Sequence, residues 1–158
     1  MVELRSYSCC ICPNTAYVRL NGEYAWRASW CTGDPWPTDR GVVTLLIDPF
    51  NCSARELRLF DTYAFASDAE QLGYYLQLLD HGSVVVAATG DEPVTNLPSA
   101  LPALRQLGVE VGDVWWRGSF GFIVQKGFPG KTVLRKVLTI EESGTNPASV
   151  NAAITGTR

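Results

Sequence analysis

Apolar residues fall along the chain in short runs and alternations of the length that β-strands have. Residues 42–47 and 83–89 are almost continuously apolar, which predicts strands that are buried on both faces. Residues 55–60 and 119–125 mix apolar and polar residues between turn-forming residues, which favours two further strands. Residues 132–140 fit either a strand or a helix, and their β-branched residues favour a strand. The chain therefore predicts a sheet-rich fold.

The most specific local signal is a β-hairpin near the N-terminus. Residues 17–20 and 23–26 have strand composition and flank the dipeptide Asn21-Gly22. Both central residues of a type I′ turn need a positive φ angle, which asparagine and glycine tolerate best. The spacing therefore predicts a two-residue hairpin.

Two helices are predicted between the strands. Ser67 and Glu70 have the spacing of a capping box, and apolar residues then repeat at helical intervals until Gly82 ends the helix. A second helix is predicted over residues 96–107, with Gly108 as its stop. No internal repeat or linker occurs, so the chain is expected to form one mixed α/β (α+β) domain.

Three regions are expected within that domain. Residues 1–39 are a cysteine-rich segment that contains the hairpin, and residues 40–142 hold most of the predicted strands and both helices. Residues 143–158 are small and polar, which predicts a C-terminal tail or a loosely held edge.

Composition and charge narrow the functional classes. Apolar residues make up 46% of the 158 and charged residues 18%, which suits a domain with its own core. The formal net charge is -3 and basic residues form no run, so no nucleic-acid partner is expected. No apolar stretch reaches the roughly 20 residues of a membrane-spanning helix. Residues 1–6 lack the apolar segment of a signal peptide, as in a mature form.

Cysteines are the best indication of the cellular compartment. Three of the five precede Pro13 closely, and such a cluster with partners downstream is typical of disulfides in a secreted protein. Because five is odd, an interchain bridge and a disulfide-linked homodimer are expected. Reduced, buried thiols are the alternative, whereas a zinc site is disfavoured because His81 is the single histidine. The cysteines are Cys9, Cys10, Cys12, Cys31 and Cys52.

Motifs for catalysis are weak throughout. A serine triad would have to use His81, which directly precedes the glycine that ends a predicted helix, and no G-x-S-x-G motif occurs. Residues 130–132 imitate the end of a phosphate-binding loop, but Gln125 stands where that motif needs glycine. The adjacent acids 141–142 fit solvated side chains better than a glycosidase pair. We therefore expect a protein that is not an enzyme.

Tryptophan carries more information about binding. Trp36 lies between prolines, and Trp115 and Trp116 directly precede Arg117. Adjacent residues of an extended segment point to opposite faces, so at least one indole of the pair is expected at the surface. An exposed indole suits the C–H face of a sugar, and a neighbouring guanidinium can donate to vicinal hydroxyls. Packing of these tryptophans in the core is the alternative.

Five motifs in order resemble a known family. They are RGVVTLLIDP at 40–49, FDTY at 60–63, GSVVVAATGDE at 82–92, LG at 107–108 and RGSFGFIVQKG at 117–127. The chain is similar here to the domain shared by interleukin-like EMT inducers, cell-migration-inducing hyaluronan-binding proteins and the stem of protein O-mannose β-1,2-N-acetylglucosaminyltransferase. The resemblance implies a compact α+β fold with curved, largely antiparallel, sandwich-like sheets and two short helices.

The resemblance also implies a lectin-like pocket. In it an arginine opens the first strand, an aspartate ends the buried strand and an arginine follows a tryptophan. Arg40, Asp91 and Arg117 match those positions, and Trp116 is the expected apolar wall. One acceptor between two forked donors is the polar set that a sugar pocket requires. A structural Arg–Asp–Arg ion pair is the alternative. The neighbours that complete the expected site are Glu92 and Trp36.

The resulting hypothesis is a secreted lectin for terminal β-linked sugars, with a β-galactoside favoured because galactose offers a C–H patch to an indole. Two sites in a disulfide-linked homodimer would raise avidity. Acidic loop residues are expected beside the pocket and could hold calcium. A secreted cytokine-like signalling or interaction domain is the alternative, although the cysteine pattern differs from that of the signalling members. The expected calcium ligands are Asp39, Asp91 and Glu92, with Asp34 nearby.

Overall fold

A computed structural model describes residues 1–6, 16–28, 39–138 and 148–152 of the chain. Within these residues, nine strands form two antiparallel sheets accompanied by two short helices. The elements are β1 Val2–Ser6, β2 Tyr17–Leu20, β3 Glu23–Arg27, β4 Gly41–Ile47, β5 Ala54–Phe60, α1 Ala66–Leu78, β6 Val84–Gly90, α2 Leu101–Gln106, β7 Ser119–Gln125, β8 Val133–Val137 and β9 Ala148–Ala152.

The five-stranded sheet, with strand order β5-β4-β6-β7-β8, is the middle layer of the fold. Val85 and Phe122 point from it toward the helices and belong to one buried cluster. Val86 and Ile123, on the same two strands, belong to a second buried cluster together with Leu4 of the four-stranded sheet, whose order is β3-β2-β1-β9. Because both faces are covered, β4 and β6 are almost continuously apolar, as the sequence predicted.

The five predicted strands and the hairpin are confirmed. Asn21 and Gly22 have φ angles of 53° and 89°, as a type I′ turn requires. The predicted antiparallel, sandwich-like sheets and two short helices are confirmed. Because the helices contribute few residues, the fold is mainly β rather than evenly α+β.

Both predicted helices differ from the sequence interpretation. The N-cap of α1 is Phe65, two residues before the predicted Ser67, and no side chain caps it. Asp61 sets this start instead, because its carbonyl accepts from Phe65 N at 3.0 Å and its carboxylate from Ala64 N at 2.9 Å. The second helix is divided into a 3-10 turn at Leu97–Ser99 and the separate α2. Pro102 lies at the start of α2, since proline is tolerated only in a first turn.

Of the two alternatives predicted for residues 143–158, a tail or an edge, the described Ala148–Ala152 form an edge strand. This segment forms β9, pairs with β1 and buries Val150. A strand of small residues has too little hydrophobic alternation to be recognised from sequence. No helix in the described part of the chain is long and apolar enough to cross a membrane.

The disulfide prediction requires a correction at one cysteine. Cys52 is a buried free thiol rather than a disulfide partner. Its Sγ lies 4.0 Å from both the nitrogen and the carbonyl oxygen of Met1. The other four cysteines lie outside the described residues.

Candidate functional site

Strand register brings Arg40 and Asp91 to the same end of the five-stranded sheet. In the pairing of β4 with β6, Gly41 lies opposite Gly90. Arg40 directly precedes the first glycine and Asp91 directly follows the second, so the two residues extend side by side from one end of the pair. Gly41 has a φ of +97°, and a Cβ there would lie 2.2 Å from the carbonyl oxygen of Phe60. Only glycine fits this close approach.

Arg117 reaches the same end from the next strand. β7 runs antiparallel to β6, with Ala87 opposite Phe122, so the residues just before Ser119 lie beside those just after Gly90. Asp91 and Arg117 have φ angles of 51° and 58°, in the left-handed region that residues with a side chain seldom adopt. Strained backbone of this kind is concentrated at functional sites.

Arg40 is fixed by a carboxylate that the site prediction did not include. Its Nε donates to both carboxylate oxygens of Asp61 at 3.0 and 3.1 Å, and its Nη2 donates to one of them at 2.6 Å. The hydrogen bonds that Arg40 donates to Asp61 raise the pKa of the Arg40 guanidinium. The guanidinium carbon also lies 4.6 Å from the centroid of the Tyr63 ring. Arg40 is thus a rigid donor held between an anion and an aromatic face.

Asp91 is different, because within the described part of the chain no donor bonds its carboxylate. No hydrogen bond or salt bridge among the described residues uses its side chain, and the bidentate partner of Arg40 is Asp61. Burial raises the pKa of Asp91, while Arg117 and then Arg40 act in the opposite direction through their positive charges. Arg40 and Asp91 therefore do not form the ion pair of the alternative interpretation. Asp91 is instead a half-buried acceptor whose carboxylate is influenced by the positive charges of Arg40 and Arg117.

Glu92 has a supporting position rather than an open one. Glu92 is only 1% exposed. One carboxylate oxygen accepts from Val94 N at 3.0 Å and Arg117 N at 3.4 Å, and the other from Thr95 N at 3.1 Å and Thr95 Oγ1 at 2.5 Å. These bonds tie the turn after β6 to the loop before β7. The prediction of Glu92 as a ligand-contacting residue is corrected, because its acceptor oxygens are already occupied.

The indoles at the site lie at the surface, as one of the two sequence interpretations predicted. Trp115 and Trp116 are 73% and 57% exposed. The Arg117 guanidinium carbon is 4.6 Å from the Trp116 ring, so the indole supports that arginine as Tyr63 supports Arg40. Trp36 lies outside the described residues.

The expected calcium ligands do not form a metal-binding group. The backbone of Asp39 lies close to Gly90: a Cβ added to that glycine would be 2.5 Å from the Asp39 carbonyl oxygen. Among the described residues, which include Asp39, Asp91 and Glu92, no three acidic, histidine or cysteine side chains could hold a metal ion together. The oxygens of Glu92 are engaged by backbone and hydroxyl donors, and the structure gives the calcium prediction no support.

Asp61 and Tyr63 are the site residues that sequence reasoning missed. Both belong to the FDTY motif at 60–63, which marked the resemblance but contributed nothing to the predicted pocket. The signal was present in the motif. The sequence did not show that β5 pairs antiparallel with β4, which places the end of β5 beside the start of β4 and so brings this motif next to Arg40.

Comparisons with known proteins found a family and two relatives that this chain resembles. The model of the family described as "Interleukin-like EMT inducer" matches residues 40–128, more than half of the chain. Two proteins named "Cell migration-inducing and hyaluronan-binding protein", from Homo sapiens and Mus musculus, are each 30% identical to the chain over 114 residues. The match covers 71% of this chain and 8% of each relative, so the chain spans a small part of their length. The matched family region contains Arg40, Asp61, Asp91 and Arg117.

Proposed function

Because the chain belongs to the interleukin-like EMT inducer family, we propose that it is an extracellular, non-catalytic domain that binds β-linked sugars between Arg40, Asp91 and Arg117. Asp91 is the acceptor for sugar hydroxyls, and the two guanidinium groups are donors to neighbouring hydroxyls. The indole of Trp116 is the apolar wall beside them.

One observation carries this proposal: the Asp91 carboxylate is half-buried yet bonded to no described side chain. A carboxylate that no described donor occupies is open to sugar hydroxyls, and its partly buried surroundings strengthen the hydrogen bonds that they donate. Arg40 and Arg117 are each oriented by an aromatic ring, so little side-chain freedom is lost when they bind. Preorganised donors around one acceptor suit the vicinal hydroxyls of a pyranose.

The finer preference is for a terminal β-galactoside. Its support is the exposure of Trp115 and Trp116, since an accessible indole face suits the C–H patch of galactose. The name of the two relatives supports the broader ligand class, because hyaluronan is a carbohydrate.

Calorimetric titration with lactose and with N-acetylglucosamine tests the proposal. Arg117→Ala removes a charged donor and should weaken binding by about 1.5–3 kcal/mol. The matched control is Arg105→Ala, which removes an exposed arginine on α2 and should leave affinity unchanged. The assignment would be overturned if Arg117→Ala bound with wild-type affinity. It would also be overturned if the wild type bound neither lactose nor N-acetylglucosamine.

One part of the proposal rests on residues that the structure does not describe. The cysteine cluster of residues 9–12 is proposed to link two chains, which would pair two weak sites and raise avidity. Non-reducing electrophoresis should then show a dimer that reduction converts to a monomer, and a monomer in both lanes would exclude it.

A signalling domain is the second candidate function. Its support is the family description itself and the words "cell migration-inducing" in the relatives' name. A cell-migration assay separates the two functions: if Arg117→Ala abolishes sugar binding and retains the full migration response, signalling does not depend on the sugar site.

A further inference from the structure

β5 is the outer strand of the five-stranded sheet, and its outer edge is open in the described part of the chain. Ala54–Phe60 pairs with β4 on one side, and no described strand pairs with it on the other. The backbone N–H and C=O groups along such an edge can pair with a further strand. Leu57 and Leu59 of this strand are apolar, yet they are 46% and 37% exposed. The edge is therefore a partly apolar surface on which another strand can pair.

The two faces of β5 differ in their chemistry. Phe60 belongs to the buried cluster beneath the helices, so Glu56 and Arg58, which alternate with it, lie on the helix side of the sheet. These two form an exposed ion pair with 2.6 Å between Arg58 Nη2 and a Glu56 carboxylate oxygen. Leu57 lies opposite Leu45, which is buried between the two sheets, and so lies on the other face. The edge thus has charges on one face and leucine on the other.

Helix α1 adds an apolar stripe beside the charged face of β5. Gln71, Tyr74 and Leu78 follow one another at helical intervals of three and four residues. Together with Glu56 and Arg58 they line a groove between the helix and the strand. Tyr74 is 66% exposed and Leu78 is 81% exposed. A molecule that pairs with the edge of β5 therefore also meets this stripe.

We propose that β5 pairs antiparallel with β5 of a second copy of this chain, across a two-fold axis at Leu57. In this register Glu56 of each copy lies opposite Arg58 of the other, so opposite charges meet twice. Sliding one strand by two residues would set Glu56 against Glu56 or Arg58 against Arg58, and like charges directly opposite each other are destabilising. A slide of one residue would exchange the two faces. Charge complementarity therefore selects both the partner and the register.

The opposite edge of the same sheet lacks this self-complementarity. β8 carries Arg135 and Lys136 next to each other, and no residue of Val133–Val137 is acidic. Pairing two copies of β8 across its central residue would set Arg135 against Arg135. Basic side chains on an edge strand are one of the ways in which proteins prevent such pairing. Of the two edges of this sheet, β5 is therefore the one that suits a second copy.

The two-fold axis at Leu57 also brings the helices into the contact. It joins the two five-stranded sheets into one and keeps both copies of α1 on the same face, where their Tyr74 and Leu78 stripes flank the joined strands. The stripes enlarge the interface toward the roughly 800 Å² per partner that stable interfaces bury. Because the paired strands run in opposite directions, the two proposed sugar sites would lie at opposite ends of the joined sheet. On the basis of the proposed function, such a dimer binds two separate glycan chains.

Sedimentation velocity of the full chain over a series of concentrations tests this inference. A reducing agent is present throughout, so that no disulfide through residues 9–12 can link two chains. The wild type should form a dimer whose fraction rises with concentration. Glu56→Arg and Arg58→Glu each place four like charges at the contact and should raise the Kd of the dimer at least about tenfold. Arg135→Glu, on the opposite edge, is the matched control and should associate as the wild type does.

Mixing the two charge variants gives the sharpest result. In a heterodimer of Glu56→Arg with Arg58→Glu, opposite charges meet again, so the mixture should associate although each variant alone does not. An ion pair within one chain cannot be restored by a second chain, so this recovery separates a contact between copies from a structural role of the pair. Thermal melts verify that each variant is folded, and the loss of an exposed ion pair should change stability little.

Three outcomes would overturn the proposal. The first is a wild type that remains monomeric in the reducing agent, which would leave the β5 edge to a strand of another protein. The second is a dimer that neither charge variant weakens, and the third is a mixture of the variants that fails to associate. Lactose titration keeps the proposed function separate: Glu56→Arg should bind lactose as the wild type does. If no chain bound lactose, the sugar site would be overturned and the association results would still decide the β5 contact.

Discussion

Arg40 and Asp61 form a two-pronged ion pair at the end of the five-stranded sheet, with Nε and Nη2 both donating to the carboxylate. The two side chains are only 16% and 20% exposed. Asp61 also accepts from Ala64 N, which begins the turn into α1. One carboxylate therefore connects the start of a helix to the orientation of a proposed sugar donor.

Asp61→Asn should weaken sugar binding although Asp61 is not proposed to touch the sugar. The amide keeps the shape but removes the charge that orients Arg40, and it should also destabilise the fold by about 1–3 kcal/mol. Thermal melts and lactose titration measure the two effects. Asp80→Asn changes an exposed aspartate and is the control. Unchanged affinity in Asp61→Asn would show that Arg40 is oriented without it.

Glu92→Gln should mainly affect stability. The four donors around the Glu92 carboxylate need acceptor oxygens, and an amide nitrogen cannot replace one of them. A loss of about 1–3 kcal/mol in the free energy of unfolding is expected by chemical denaturation. Glu110→Gln, at an exposed position, should be neutral within error. Equal stability of the two variants would contradict the supporting role of Glu92.

Asp91→Asn should lose sugar binding while gaining stability near neutral pH. Burial raises the pKa of Asp91, so the folded protein holds this proton more tightly than the unfolded chain. Its contribution to stability is complete below the ordinary pKa of aspartate and declines as the pH rises through the raised pKa. The advantage of Asp91→Asn over the wild type should therefore shrink as the pH falls toward that range.

Thermal melts at several pH values measure this difference, and Asp113→Asn gives the opposite sign. A hydrogen bond from Lys136 lowers the pKa of Asp113, so its contribution is present above the ordinary pKa and is lost as the pH falls. If Asp91→Asn were less stable than the wild type at neutral pH, the protein would be supplying the hydrogen bonds that we assign to a ligand.

Gly41→Ala should disrupt the site and the sheet together. A methyl group there would lie 2.2 Å from the Phe60 carbonyl oxygen and 2.7 Å from Thr62 N, both backbone atoms that cannot move independently. Gly22→Ala is the matched control, because Gly22 also has a positive φ but no atom within 4 Å of its would-be Cβ. Its cost should be limited to backbone strain, about 1 kcal/mol. Comparable melting temperatures for the two variants would contradict the close approach.

The strands could be predicted from sequence because their local pattern agrees with their surroundings. The apolar run of β6 is buried on both faces, and the Asn21-Gly22 turn has the angles that its residues favour. β9 and the start of α1 could not be predicted, because partners distant in sequence determine them. Val150 is buried in the cluster between the two sheets, where the pairing of β9 with β1 places it, and Asp61 begins the turn before the helix.

The proposed site was predictable in its residue types but not in its roles. Arg40, Asp91 and Arg117 lie at the same end of the sheet, as the family resemblance implied. Sequence could not distinguish the open carboxylate of Asp91 from the occupied one of Glu92, because the two are neighbours with the same chemistry. The structure separates them by the positive φ at Asp91, the burial of Glu92 and the hydrogen bonds that occupy the Glu92 carboxylate.

The most direct test of the central claim is to follow backbone amide NMR signals while lactose is added to the full chain. The account predicts that the shifted signals cluster at the sheet end formed by Arg40, Asp91 and Arg117, with Trp116 beside them. It also predicts that Arg117→Ala abolishes these shifts without altering the remainder of the spectrum. Shifts confined to another surface, or an unchanged spectrum with both lactose and N-acetylglucosamine at saturating concentrations, would contradict it.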